Sequence, residues 1–394
     1  MSHKLISLNP DLKRLRDEGY NVEIRENHLL VSDVPYVDST RAIQRGILIS
    51  PLSLAGDKTS PPNDHVVHFC GSQPCYADGT EILALRHQEA TRNLGQNLTV
   101  HRSFSHKPSC GYADHYLKMT TYAAIISHQA QAIDPNVTAK TFPPFEVGSE
   151  DSVFVYLDTA SSRAGIGNVS AKLEIGKIGI VGLGGSGSYI LDLVAKTPVK
   201  EIHLIDGDKF STHNAFRSPG AHSIEKLREE PLKVEYLREQ YSKLHRNIVA
   251  HPYFLHELNS ELLDGLNFVF VCVDSGPARK VIVEKLESAK IPFIDVGMGI
   301  HLVDDYLIGQ LRVTTRTEAN REEVEPGKRM NFGIDVGDDI YATNIQTADL
   351  NALLATLAVI KWKKYLGFYS DLRSENHSQY LIEGSTLIHE DEYA

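Results

Sequence analysis

Cysteine is scarce in this chain. Cys70, Cys75, Cys110 and Cys272 are the four among 394 residues, and no two of them form a Cys-x-x-Cys pair. That spacing argues against a disulfide scaffold and fits a reducing cytoplasm. Long hydrophobic runs are missing too. The most apolar stretch, 350–360, is too short to span a bilayer and runs into Lys361-Trp362-Lys363-Lys364, so a core or dimer-interface helix is expected. The opening MSHKLISLNPDLKRLRDEG carries no signal-peptide apolar segment. Positive charge is not in excess: the net charge is −11, which points away from nucleic acid or an anionic membrane as partner. What remains is ordinary globular composition, 42% apolar and 23% charged, in a length that accommodates two domains.

One stretch, 177–220, organises the rest. Residues 178–183 read as a buried strand. Gly182-Leu183-Gly184-Gly185-Ser186-Gly187 follows as a glycine-rich turn, then an apolar helix over 189–195 and a second strand over 201–205 that ends at Asp206. This is the pattern of a βαβ nucleotide-binding unit. Glycines there let backbone N–H groups approach a phosphate at a helix N-terminus, and an acid at the end of the second strand stands where a ribose hydroxyl is held.

Further on, 224–245 reads as a long charged helix or helix pair, and 267–273 as a strand ending at Asp274. A helix over 277–289, strands over 291–296 and 309–315, a polar exposed loop over 316–339 and a helix over 346–364 follow, with a strand and acidic tail over 375–394. The alternation predicts an α/β domain over 149–394, a Rossmann-like, mostly parallel sheet with helices on both faces. Residues 1–148 read as a smaller α+β domain, with helices over 9–18 and 119–132 and short strands over 21–25, 28–31, 46–50 and 65–70. The proline-, glycine- and acid-rich stretch 141–151 is the expected linker.

Behind the glycine turn come Asp206-Gly207-Asp208, then Asn214-Ala215-Phe216-Arg217, then Lys233 and finally Asp274. Over roughly 159–364 this ordered set resembles the ThiF/MoeB/HesA adenylyltransferases, whose eukaryotic relatives are the ubiquitin-activating enzymes. The resemblance implies that Gly182, Gly184, Gly185 and Gly187 cradle the phosphates of ATP and that Asp206 holds its ribose. It implies phosphate contacts from Asn214, Arg217 and Lys233, and a magnesium ion on Asp274. Arg163, ahead of the first strand, matches an arginine that reaches the ATP of the other subunit in a homodimer. Asp208 is either a second polar ligand or a turn residue. The chemistry agrees independently: attack of a weak carboxylate nucleophile on an α-phosphate needs the charge on pyrophosphate neutralised, and Arg, Lys and Mg²⁺ do that. Taken singly, Arg217 reads as a surface arginine, Lys233 as part of a solvated helix face, and Asp274 as a helix N-cap. Cys272 reads as a small buried hydrophobe.

The chain also departs from that pattern. Without paired cysteines a structural zinc is not expected. No cysteine follows Cys272, so the thioester cysteine of the family, expected within 316–339, is missing. Either the reaction stops at the acyl-adenylate, or another residue accepts the acyl group: Thr314, Thr315 or Thr317 would form an oxyester, but their hydroxyls would need an activating base. In the first half, Pro61-Pro62, Gln73-Pro74 and the run 78–83 resemble ubiquitin-conjugating enzymes, with Ile82 near the position of their cysteine. That implies a non-catalytic, partner-recruiting domain or a conjugating-enzyme-like acceptor; an unrelated α+β recruitment domain stays open. The function expected is ATP- and Mg²⁺-dependent activation of the C-terminal carboxylate of a ubiquitin-like protein, in a cytoplasmic bacterial conjugation-like pathway. Members with added domains resemble those of antiviral-defence operons. The alternatives are adenylation of a small-molecule, tRNA or peptide carboxylate, a nicotinamide-dependent oxidoreductase on the same glycine fingerprint, or an inactive scaffold.

Overall fold

A computed structural model of the chain describes residues 2–95, 98–145, 152–321, 326–333 and 345–389. They fall into two compact units, one of Met1–Val147 with Leu157–Gly165, the other of Gly148–Tyr156 with Ile166–Ala394. The expected linker lies mostly at 146–151, outside the described residues.

The first unit is α+β. Its strands are β1 (Asn21–Arg25), β2 (His28–Val37), β3 (Ile43–Pro51), β4 (Leu54–Ala55), β5 (Lys58–Thr59), β6 (Val66–Cys70), β7 (Arg86–Asn93) and β8 (Thr99–Ser105). Six of them form an antiparallel sheet in the order β1-β2-β3-β6-β8-β7. Glu26 and Asn27 both take positive φ (49° and 56°), the twist that a tight two-residue hairpin between β1 and β2 demands. Helices Pro10–Asp17 and His115–Ile133 pack on this sheet, and Leu12, Leu15, Met119, Tyr122 and Ile126 join Val22, Leu29 and Val31 in one core. Ile82, near the position of the conjugating-enzyme cysteine, is buried. The strands β7 and β8 were not legible in the sequence. Along β7 (RHQEATRN) seven of the eight residues are exposed and none is buried, so the period-2 apolar signal is absent.

The second unit is the expected α/β domain. Its strands are β9 (Lys177–Val181), β10 (Glu201–Ile205), β11 (Ile248–His251), β12 (Phe268–Val271), β13 (Phe293–Val303), β14 (Tyr306–Arg316), β15 (His377–Leu381) and β16 (Thr386–His389). They make one sheet in the order β11-β10-β9-β12-β13-β14-β15-β16, parallel from β11 to β13 and antiparallel beyond. Alternate side chains of one strand feed two cores. Phe268 and Phe270 pack with helices Gly185–Val194, Lys233–Tyr241 and Ala348–Tyr365, while Val269 and Val271 pack with Gly276–Ser288 on the other face.

Several elements differ from the sequence reading. The helix after the glycine turn starts at Gly185, because the turn is itself its first turn. The charged stretch 224–245 is two helices, Ile224–Glu229 and Lys233–Tyr241, separated where Glu230 turns left-handed (φ 44°) before Pro231. The strand from 291 runs on to Val303 through Gly297 and Gly299, since the ladder to β14 holds them in place. The loop 316–339 is not exposed at its start. Arg316 is buried, its Nε donates to Glu287 Oε1 at 2.9 Å, and Thr317 and Asn320 are buried beside it. Much of the remainder, 322–325 and 334–339, lies outside the described residues. Leu354, Ala355, Ala358 and Val359 of the apolar run, with Trp362 just beyond it, are packed into the core of their own unit, which accounts for the run without a second subunit. Among the described residues no helix is long and apolar enough to cross a membrane.

Candidate functional site

Strand β9 lies between β10 and β12, so the chain leaves the carboxyl ends of neighbouring strands in opposite directions and a crevice opens between them. A cavity of ≈ 890 Å³ occupies it. Gly182, Gly184, Gly185, Asp206, Asp208, Asn214, Arg217, Lys233 and Asp274 all line this cavity. Two of the residues singled out from sequence do not. Gly187 lies beneath the turn, and Arg163 belongs to the first unit, where its guanidinium stacks 4.7 Å from the centre of the Phe142 ring.

The four glycines differ in what requires them. Gly182 has φ +86°, and a Cβ on it would stand 2.7 Å from the Cys272 carbonyl oxygen. A Cβ on Gly187 would stand 1.9 Å from the Gly182 carbonyl oxygen, and one on Gly185 would meet the Asn351 side chain at 2.3 Å. These three are demanded by protein packing. Gly184 is not: among the described residues a Cβ there meets nothing within 4 Å. The space over Gly184, at the N-terminus of Gly185–Val194, is free for a ligand, and backbone N–H groups at such a terminus suit a phosphate.

The acids at the end of β10 form the opposite wall of the turn. Asp206 is buried; its Oδ2 accepts from Leu183 N at 2.6 Å and its Oδ1 from Asp208 N at 2.8 Å. The carboxylate therefore ties the glycine turn to β10, a role the sequence pattern does not reveal. Burial pushes its pKa above the usual carboxylate range, against the opposing pull of Lys233 and the two N–H groups. Lys233 Nζ is 2.7 Å from Asp208 Oδ2 and 3.7 Å from Asp206 Oδ2, so this lysine is a buried partner of both acids rather than part of a solvated face. Asn214 is buried. Its Oδ1 accepts from Ser211 N at 2.9 Å, and its Nδ2 has no hydrogen-bond partner among the described residues. A buried donor without an acceptor is costly, which makes Nδ2 a ready hydrogen-bond donor to a ligand anion. His213 is held below the usual histidine range by burial first and then by Arg217 and Lys233, so it adds no further charge.

Asp274 follows β12 and is exposed on the cavity. It does not cap the next helix: Ser275 is the N-cap of Gly276–Ser288, and its side chain accepts from Ala278 N at 3.4 Å. Cys272 also lines the cavity; burial raises its thiol well above the ordinary range, so it is no thiolate nucleophile. Thr314, Thr315 and Thr317 are all buried, and none lines the cavity.

Sequence reasoning did not find Asn351, Arg279, Asp295 or Arg312. Asn351 is fully buried against the turn and accepts from Ser186 Oγ at 2.7 Å. Its one legible sign is an amide inside the apolar helix. Asp295 is fully buried between Arg279 and Arg312.

The ThiF family matches residues 161–318. That segment is a ThiF family domain. A domain of unknown function, DUF6791, matches residues 10–159. The adenylyltransferase and sulfurtransferase UBA4 of Saccharomyces cerevisiae is 32% identical over 132 residues, which are 32% of this chain and 29% of UBA4. The chain thus spans less than a third of the length of the curated relatives it matches. Among solved structures, E. coli MccB with AMPCPP and MccA superposes at TM-score 0.46 with 17% identity, over 59% of this chain and 68% of that one. PaaA superposes at 0.43 with 17% identity, over 57% and 75%. The match to the ThiF family includes Arg163 and the whole glycine turn, and it ends before the helix that carries Asn351.

Proposed function

We propose that the ThiF domain is an ATP- and Mg²⁺-dependent adenylyltransferase that activates a carboxylate, and that its substrate is the C-terminus of a ubiquitin-like protein. One observation carries the reading: phosphate-type and metal-type ligands from five separate segments, Gly184, Asp206, Asn214 with Arg217, Lys233 and Asp274, line a single cavity at the switch point of the sheet. A hydride-transfer enzyme on the same glycine fingerprint would have no use for Asn214, Arg217, Lys233 and Asp274 together. The open space at Gly184 and the orphaned Asn214 Nδ2 fit a nucleotide phosphate.

A carboxylate oxygen attacks the α-phosphorus of ATP, forming an oxygen–phosphorus bond. The bond to the β-phosphate oxygen breaks, and its electron pair leaves on pyrophosphate. Arg217 and Lys233 place positive charge beside the phosphates; Lys233 exchanges its Asp208 contact for a phosphate oxygen. Asp206 holds the turn in shape while offering an acceptor to the ribose. Among the described residues no three His, Cys, Asp or Glu side chains converge on a metal site. One exposed carboxylate suits magnesium all the same, because that ion takes few protein ligands and completes its shell with phosphates and water. Asp274 would hold it, and bound magnesium supplies charge neutralisation at the phosphates.

The first unit is then the part that recruits the acyl substrate or the acceptor, in a bacterial conjugation pathway. The test is ATP–pyrophosphate exchange with purified full-length protein, against candidate β-grasp proteins ending in glycine. Exchange with such a protein supports the reading. Exchange only with small carboxylates would move the substrate to that class, and NAD binding without ATP binding would defeat it.

A further inference from the structure

The cavity continues past Asp274, away from β10, to a wall built by β13 and β14 that includes Gly297, Gly299 and Arg312. Behind that wall lies a buried charge cluster. Asp295, 0% exposed, is held at Oδ1 by Arg279 Nε at 3.0 Å and at Oδ2 by Arg312 Nη2 at 2.5 Å. Two guanidinium groups share one carboxylate, so the cluster carries a net positive charge. Arg279 is committed to protein: it also donates to the Asn331 carbonyl at 2.9 Å and to the Val273 carbonyl, the peptide group just before Asp274. Arg312 donates to Thr314 Oγ1 at 2.8 Å, which is hydrogen-bonded to the buried His377 at 2.9 Å. Its guanidinium lies across the partner strand. Gly297 stands directly opposite Arg312 in the ladder, and a Cβ on Gly297 would be 2.7 Å from Nη2. Only glycine at 297 leaves the group where it is.

A net positive charge in a poorly solvated cluster is unfavourable unless an anion completes it. On the adenylyltransferase reading, the nucleotide phosphates would have their own partners at the glycine turn. We propose that Arg312 binds the carboxylate of the acyl substrate and aims it at the α-phosphate, with Asp295 and Arg279 fixing it relative to the strand end that carries Asp274. This inference rests on the adenylyltransferase reading. Its chemical logic is that an attacking carboxylate must approach an already polyanionic nucleotide. A fixed cation beside it removes much of that repulsion, and a guanidinium presents the donors in the fork a carboxylate needs.

The experiment uses the full-length protein and a fluorescent tetraglycine, with either a free C-terminal carboxylate or a C-terminal amide. Each is titrated with and without non-hydrolysable ATP, and the affinity for that nucleotide is measured separately. The wild type should bind the acid in preference to the amide. Arg312→Gln should weaken the acid by about tenfold or more and leave the amide and the nucleotide within about twofold. If Arg312→Gln does not fold, Gly297→Ala displaces the guanidinium without removing its charge and should weaken the acid in the same direction. Equal binding of acid and amide by the wild type, no binding of either, or unchanged acid binding by the variants overturns the proposal. A wild type that binds the acid through Arg312 but no nucleotide would instead overturn the nucleotide reading alone.

Discussion

Gly184 and Gly187 stand three positions apart in one turn and are glycine for opposite reasons. A methyl on Gly187 would collide with the Gly182 carbonyl, so Gly187→Ala should lower stability by about 1–3 kcal/mol or more, read as a fall in melting temperature. Among the described residues, a methyl on Gly184 meets no atom within 4 Å. Gly184→Ala should therefore keep the wild-type melting temperature and weaken ATP binding, measured by calorimetric titration. If both variants melt early, the space over Gly184 is not ligand space. Asp274 permits a sharper test. Because Ser275 caps the following helix, Asp274→Asn should leave the melting temperature unchanged. Pyrophosphate exchange should fall by roughly two orders of magnitude or more, equivalent to about 3 kcal/mol of transition-state stabilisation. A stable, fully active Asp274→Asn enzyme would remove the magnesium role. At this scale the sequence displayed which residue types follow the glycine turn and in what order. It could not say which glycine serves the protein and which the ligand, since that depends on atoms brought in by Cys272 and Asn351.

At the level of elements, the long helix of the first unit holds a charge where none is comfortable. Lys118 on His115–Ile133 is 1% exposed, and its Nζ lies 3.0 Å from Asp64, whose side chain is 49% exposed. Burial lowers the lysine pKa despite that partner. The folded protein then holds fewer protons at this site than the unfolded chain. Stability should therefore rise as pH climbs from the lowered folded value towards the ordinary 10.5. Lys118→Met removes the desolvation penalty and leaves Asp64 in water. We expect it to stabilise the protein by about 1 kcal/mol or more and to abolish that pH dependence, as read by chemical denaturation at two pH values. A destabilised variant would show that the ion pair outweighs the burial. Element types were legible wherever the apolar period was strong, as in β9, β10, β12 and Gly276–Ser288. A type was illegible where an edge strand is polar on both faces, as in β7, and an element's extent was illegible where glycines interrupt a strand that the ladder carries through, as in β13 beyond residue 296.

For the whole molecule, the position of Arg163 makes a prediction about assembly. It is the one proposed site residue that belongs to the first unit, and the family resemblance assigns it to the other subunit's ATP. We expect a homodimer in which Arg163→Ala protomers and Asp274→Asn protomers, each inactive alone, recover about a quarter of wild-type exchange when refolded together. Random pairing makes half the dimers mixed, and one site in each is whole. No recovery, or a fully active monomer in sedimentation, would place Arg163 outside the reaction.

The sequence by itself determined the α/β class of the second unit, the nucleotide-type turn and the ordered set from Asp206 to Asp274. Those signals are local or follow chain order, and strand ends in such a sheet point at one crevice whatever the details of packing. Tertiary structure alone decided that Asp206 clamps Leu183, that Asn351 supports Gly185 from a helix 165 positions beyond Ser186, and that Asp295 gathers Arg279 and Arg312 from neighbouring elements. The reason is distance along the chain. A buried carboxylate or amide acquires its meaning from partners that no periodicity or spacing links to it, and only the folded sheet brings them within hydrogen-bond reach.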